Sequence, residues 1–172
     1  MDNLDRFRNE FLNANTWGQR KDGVPLDLLD NLSEEELKIA EIDLINAVSL
    51  GDSWPIIGLG YIKSTESLAK LYKLLSESKR KIKVTIAHSI FQICQDKEMI
   101  NIVLEEMPKM NSQYELIDVL YFLPDFNDER VKAMSRGYCE DKNYLIAYNA
   151  TRALGLPTEK VVEKFRTKIL AK

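Results

Sequence analysis

Apolar and polar positions along this chain recur with a period of thirty. Ile86-Ala87-His88-Ser89-Ile90-Phe91 lines up with Leu116-Ile117-Asp118-Val119-Leu120-Tyr121, thirty positions on. Residues 56–61 and 146–151 fall in the same register. Within each copy, apolar residues return at the i, i+3, i+4, i+7 spacing that a helix buries as one stripe. The pattern predicts helices over 53–63, 83–94, 113–123 and 143–155, with a second set over 66–77, 97–108, 128–140 and 159–171. Glu66, Glu98, Glu129 and Glu159 open the second set; behind the last comes the stripe Val161, Phe165, Ile169. Turns such as Lys63-Ser64-Thr65 and Gln95-Asp96-Lys97 are short, which forces neighbouring helices antiparallel. A thirty-residue period built from two helices marks a stacked array. No single pair can bury its face, and stacking does it.

Upstream of the repeats, residues 2–13 read as an amphipathic helix with Leu4, Phe7, Phe11 and Leu12 at helical spacing. The polar loop after it carries Trp17, expected to fold back over the first helices as large aromatics do, rather than stand out as a partner's anchor. Residues 25–32 form a short helical turn. Ser33-Glu34-Glu35-Glu36 is a capping box, and its carboxylates sit at the positive end of a helix dipole. That helix is expected to run to about Leu50 and to stop at Gly51 in a left-handed conformation. Asp52 or Ser53 then caps the next one.

The period and phase of the helix pairs resemble those of the HEAT-like repeat family in its shorter bacterial form. Gly-Leu-Gly-Tyr-Ile-Lys (58–63) and Ala-Leu-Gly-Leu-Pro (153–157) also look like that family's helix exits. Phe-Leu-Pro-Asp-Phe (122–126) departs from it by lacking the Gly. The expected architecture is all-α: an α-solenoid forming one domain over 1–172, with a helical cap (1–33) and about four HEAT-like pairs (34–172).

Composition keeps this picture ordinary. The 172 residues are 45% hydrophobic and 30% charged, within the range of globular proteins. Cys94, Cys139 and the single His88 make neither a metal-spaced set nor a disulfide framework, so no metal or cofactor is expected, and a reducing cytoplasm is. No run approaches the roughly 20 apolar residues of a membrane span, and the charged N-terminus lacks an apolar signal core. A soluble chain with no membrane partner is the expectation.

Charge changes the picture more. The net charge is −3, yet between 22 and 52 there are nine acids and one base, Lys38. Residues 61–172 carry 19 Lys or Arg against 15 acids. An acidic N-terminal third disfavours nucleic acid and favours a basic partner, although the same charges also read as solvated helix faces. Helical projection places columns 56/86/116/146, 57/87/117/147 and 60/90/120/150 in the core. It places the column 58/88/118/148 (Gly, His, Asp, Tyr) outward, and names Glu115, Asp118, Tyr121, Tyr148 and Arg152 as the outward residues, with His88 and Gln92 beside them. Tyr and Arg among carboxylates is an interface-like mixture.

No nucleophile turn or phosphate-cradling loop is present, and the paired acids Glu105-Glu106 and Glu140-Asp141 fall at helix ends. No catalytic residue is assigned. The basic run Lys79-Arg80-Lys81 with Lys83 reads as a solvated loop. The chain resembles, in size and acidic surface, the small helical-repeat immunity proteins of contact-dependent inhibition systems. That resemblance implies occlusion of a cognate toxin, basic and often a nuclease, by a monomer that forms a heterodimeric complex. Glu34, Glu35, Glu41, Glu115 and Asp118 would supply charge, Tyr121 and Tyr148 the anchors, with Arg152 on the same surface. The alternatives are a protein–protein adaptor using that surface and, third, a HEAT-like DNA glycosylase, whose groove would here hold phosphate-repelling Glu115 and Asp118.

Overall fold

Every regular element in the computed structural model is helical, amounting to 74% helix with no strand among the described residues, 2–170. Met1 of the predicted cap, and Ala171 and Lys172 at the end of the last predicted pair, lie outside them; so does the side chain of Ile169. In order the helices are α1 (Asn3–Phe7), α2 (Trp17–Arg20), α3 (Asp27–Asp30), α4 (Glu34–Ala47), α5 (Ser53–Tyr61) and α6 (Leu68–Glu77). Then come α7 (Arg80–Cys94), α8 (Glu98–Glu106), α9 (Gln113–Leu120), α10 (Glu129–Cys139), α11 (Tyr144–Ala153) and α12 (Glu159–Leu170). Each helix predicted from the repeat is found, with ends moved by a turn or less. No described helix is long and apolar enough to cross a membrane.

The chain divides into two compact units. One takes the chain as far as Ser78 together with His88–Asp96; the other takes Lys79–Ala87 and everything from Lys97 on. Helix α7 therefore contributes to both.

In the first unit the core is aromatic at its start. α1 runs on as a wider π-helical turn over Arg8–Leu12, and Phe7 and Phe11 are fully buried. Their rings lie 5.3 Å apart, and Phe11 meets Trp54 edge-on at 5.7 Å. Ala40 and Leu44 of α4, Ile56 and Leu59 of α5, and Leu71 of α6 complete it. Two glycines let α5 sit this close. Gly58 is covered by Phe11 and Leu44, and a Cβ on Gly60 would meet the Ser89 backbone of α7 at 2.8 Å.

These contacts correct the expected outward column at 58 and 88. Gly58 is buried because the N-terminal segment closes over it. His88 is buried because every residue of α7 from Val84 to Phe91 is, leaving that stretch of helix no outward side.

In the second unit the thirty-residue offset is spatial. The Asn143 amide donates to Gln113 Oε1 (2.6 Å), and the Tyr121 hydroxyl donates to Asn149 Oδ1 (2.7 Å). With one bond near each end, α9 and α11 run side by side in the same direction. Arg130 of α10 likewise donates to Asn101 of α8 (3.1 Å). Leu116, Leu120, Ile146 and Ala150 are buried, as their columns require.

Of the basic run, Arg80, Lys81 and Lys83 prove to lie in the first turn of α7, with only Lys79 outside the helix. Cations at the positive end of a helix are unfavourable. Two carboxylates offset them: buried Glu106 of α8 accepts from the Arg80 backbone N–H (2.8 Å), and Asp118 of α9 pairs with Lys81. Burial works to raise the Glu106 pKa, but Lys109 and that N–H outweigh it and hold the carboxyl below its usual range.

Left-handed residues close the helices that the repeat would pair. Lys63, Gln95, Asn127 and Gly155 all have positive φ, following α5, α7, the 3-10 turn after α9, and α11. Asn127 supplies what the Gly-less segment 122–126 lacks, since Asn tolerates this conformation better than most residues. Gly51 does not adopt it. α4 ends earlier, at Ala47, where Val48 turns extended and buries its side chain.

Candidate functional site

The most electronegative helix of the first unit is α4. Its start is fixed by the predicted capping box: Ser33 Oγ accepts from the Glu36 N–H, and the Glu36 carboxylate accepts from the Ser33 N–H (2.8 Å). Ala40 and Leu44, one turn apart, face the core. The helix carries more aliphatic residues than that face uses. Ile39 and Ile42 point into solvent, Ile42 with 59% of its surface exposed.

Many acids of this region are already engaged. Asp30 accepts from the Tyr61 hydroxyl (2.7 Å), which raises the tyrosine's pKa. Asp43 accepts from Arg8 (2.8 Å) and Asp52 from both terminal nitrogens of Arg20 (2.8 and 2.6 Å). Among the described residues Glu34, Glu35 and Glu41 form no ion pair, and neither does Lys38 beside them. Glu34, Leu37, Lys38 and Glu41 line one wall of an open groove of about 230 Å³, and Ile62, just past α5, forms the other. That is smaller than the roughly 300–1,000 Å³ of small-molecule sites. It suits a side chain from a partner better than a substrate.

The other predicted residues lie in the second unit, on α9, α11 and the residue after α9. Asp118 is occupied by Lys81, and Tyr121 spends its hydroxyl on Asn149. Tyr148 is half-buried, its ring 5.6 Å from that of Tyr144, which in turn meets Phe165 at 5.4 Å. Glu115 is half-buried and Arg152 exposed. Asp118 and Tyr148 do occupy equivalent positions on neighbouring parallel helices, but this surface carries both signs of charge and its central acid is neutralised. His88 is not part of it.

Trp17 departs from expectation. It is 81% exposed. α2 is a single turn closed by a Thr16–Gln19 capping box, and the residue it turns inward is Arg20, whose guanidinium lies 4.4 Å from the centre of the Trp54 ring. The burial expected of Trp17 is taken by that stack.

Among the described residues no three His, Cys, Asp or Glu side chains gather as metal ligands. The chain matches no protein-family profile, no curated protein and no solved structure.

Proposed function

We propose that this chain is a cytoplasmic binding protein of the immunity type, which neutralises a basic protein toxin by covering it with the acidic surface of α4. The observation that carries this reading is that Glu34, Glu35 and Glu41 have no ion-pair partner among the described residues, on a helix that also exposes Ile39 and Ile42, whereas Asp43, Asp52 and Asp118 are spent on internal partners. Unpaired like charge steers a basic partner and sets specificity. Exposed aliphatic area gives it contact energy. The reading assigns no catalytic step to the chain. It takes the repeat as a HEAT-like α-solenoid, supported by the in-register pairing of α8 with α10 and of α9 with α11.

The test is protection. Cells producing the protein encoded immediately upstream are expected to die unless this chain is co-produced, and the two purified proteins to form a one-to-one complex. Growth without this chain, or no complex between the two, would contradict an immunity role.

A further inference from the structure

We infer that the α4 groove receives a basic amphipathic helix of the partner, with one aliphatic side chain seated between Leu37 and Ile62 and cations flanking it on Glu34 and Glu41. The inference rests on the binding reading above and specifies its chemistry. Between Glu34 and Glu41 the groove is lined by the aliphatic side chains of Leu37 and Ile62 and by Lys38, which among the described residues forms an ion pair with neither acid.

Spacing selects the occupant's conformation. Glu34 and Glu41 are seven residues apart, so about 10.5 Å along the helix at 1.5 Å per residue. A partner helix presents side chains at i and i+7 on one face over the same distance, with i+3 and i+4 midway, where the apolar part of the groove lies. An extended segment presents same-face residues about 6.6 or 13 Å apart, and neither spacing fits.

The probe is a short Ala-based helical peptide with Lys at i and i+7 and Leu at i+3 and i+4, labelled for fluorescence anisotropy with the full chain. It is expected to bind, more weakly as salt is raised. Binding should fall by at least about tenfold, the scale of close charge pairs across an interface, for Glu34→Lys/Glu41→Lys. Glu41→Lys alone, away from the helix start, serves if the double variant loses stability. Replacing the peptide's Leu by Ser should abolish binding, which tests the anchor without altering the protein's fold. Glu115→Lys should change nothing.

No binding of the Lys/Leu peptide, equal binding of a peptide with Glu in place of Lys, or equal binding by the Glu41→Lys chain would each overturn the inference. Dimerisation of the chain alone, dissolved by Glu41→Lys, would give the groove to a second copy and overturn it as well. If the upstream protein is bound and the double variant binds it as tightly, the groove assignment fails while the immunity reading stands. If that protein is not bound at all, the reading itself fails.

Discussion

Gly60→Ala is expected to lower the unfolding free energy by about 2 kcal/mol or more, while Gly58→Ala leaves it within about 1 kcal/mol of the parent. In both helical positions alanine recovers up to about 1 kcal/mol of helix propensity. What differs is what the new methyl meets. At Gly58 the nearest atoms are the tips of flexible side chains, Phe11 Cζ at 3.0 Å and Leu44 Cδ2 at 3.1 Å, which shift by a few tenths of an ångström. At Gly60 they are Ser89 Cα and Cβ and Gln92 Oε1, all at 2.8 Å, so α5 and α7 must part. Overpacking of that kind costs about 1–3 kcal/mol, occasionally more; Gln92 can swing aside, but Ser89 Cα and Cβ are fixed to the α7 backbone. Urea unfolding checks it: the Gly60→Ala midpoint should fall with the slope unchanged. Equal midpoints for the two variants would mean that the helices are not this close.

The second large effect is expected at Arg20. Its guanidinium bridges three features: both carboxylate oxygens of Asp52, the Ala14 carbonyl (2.6 Å) and the Trp54 ring. Asp52 in turn caps α5 by accepting from the Trp54 N–H (3.0 Å). Exposed ion pairs are worth about 0–1 kcal/mol. This one is partly buried, bidentate and stacked, so Arg20→Ala is expected to cost about 2 kcal/mol, in the range of charge-assisted bonds. Arg20→Lys should recover only a minor share, since an ammonium cannot reproduce the fork.

The pH dependence follows from Asp52. Burial pushes its pKa up, but the Arg20 bonds and the Trp54 N–H outweigh burial and hold the carboxyl below its ordinary value. A depressed pKa contributes stability that is full above the unfolded value of about 3.9 and is lost as pH falls through the folded one. In Arg20→Ala that depression is largely removed, so the stability gap to the parent should be full above the unfolded value of about 3.9 and narrow as pH falls through the folded pKa of Asp52. Identical acid limbs would show that the pair adds nothing to folding.

Parts of this structure were legible in the sequence because they depend on period alone. Ile56, Ile86, Leu116 and Ile146 are buried as their spacing requires, and the Ser33 box caps α4 as written. What was not legible depends on what lies over a helix. Gly58 looked outward in projection because Phe11, distant in sequence, is what covers it. His88 looked polar and therefore exposed, but α7 is enclosed on all sides along that stretch. The left-handed turns at Lys63 and Gln95 carry side chains that do not announce that conformation, whereas Asn127 and Gly155 are residue types that adopt it readily.

At the candidate site the excess of acids near α4 was plain from counting. Which of them are free was not, because Arg8 and Arg20 reach Asp43 and Asp52 from outside the acidic run. The exposure of Ile42 was hidden for a simpler reason: an aliphatic residue within a helix reads as core until its neighbours are known.

The most direct measurement is amide hydrogen exchange of the chain alone and in complex with the upstream protein. New protection over Glu34–Ala47 and around Ile62, with α9 and α11 unchanged, is the result expected if α4 is the docking helix. Protection confined to α9 and α11, with Glu34–Ala47 exchanging as before, would place the partner on the other acidic surface and contradict the assignment.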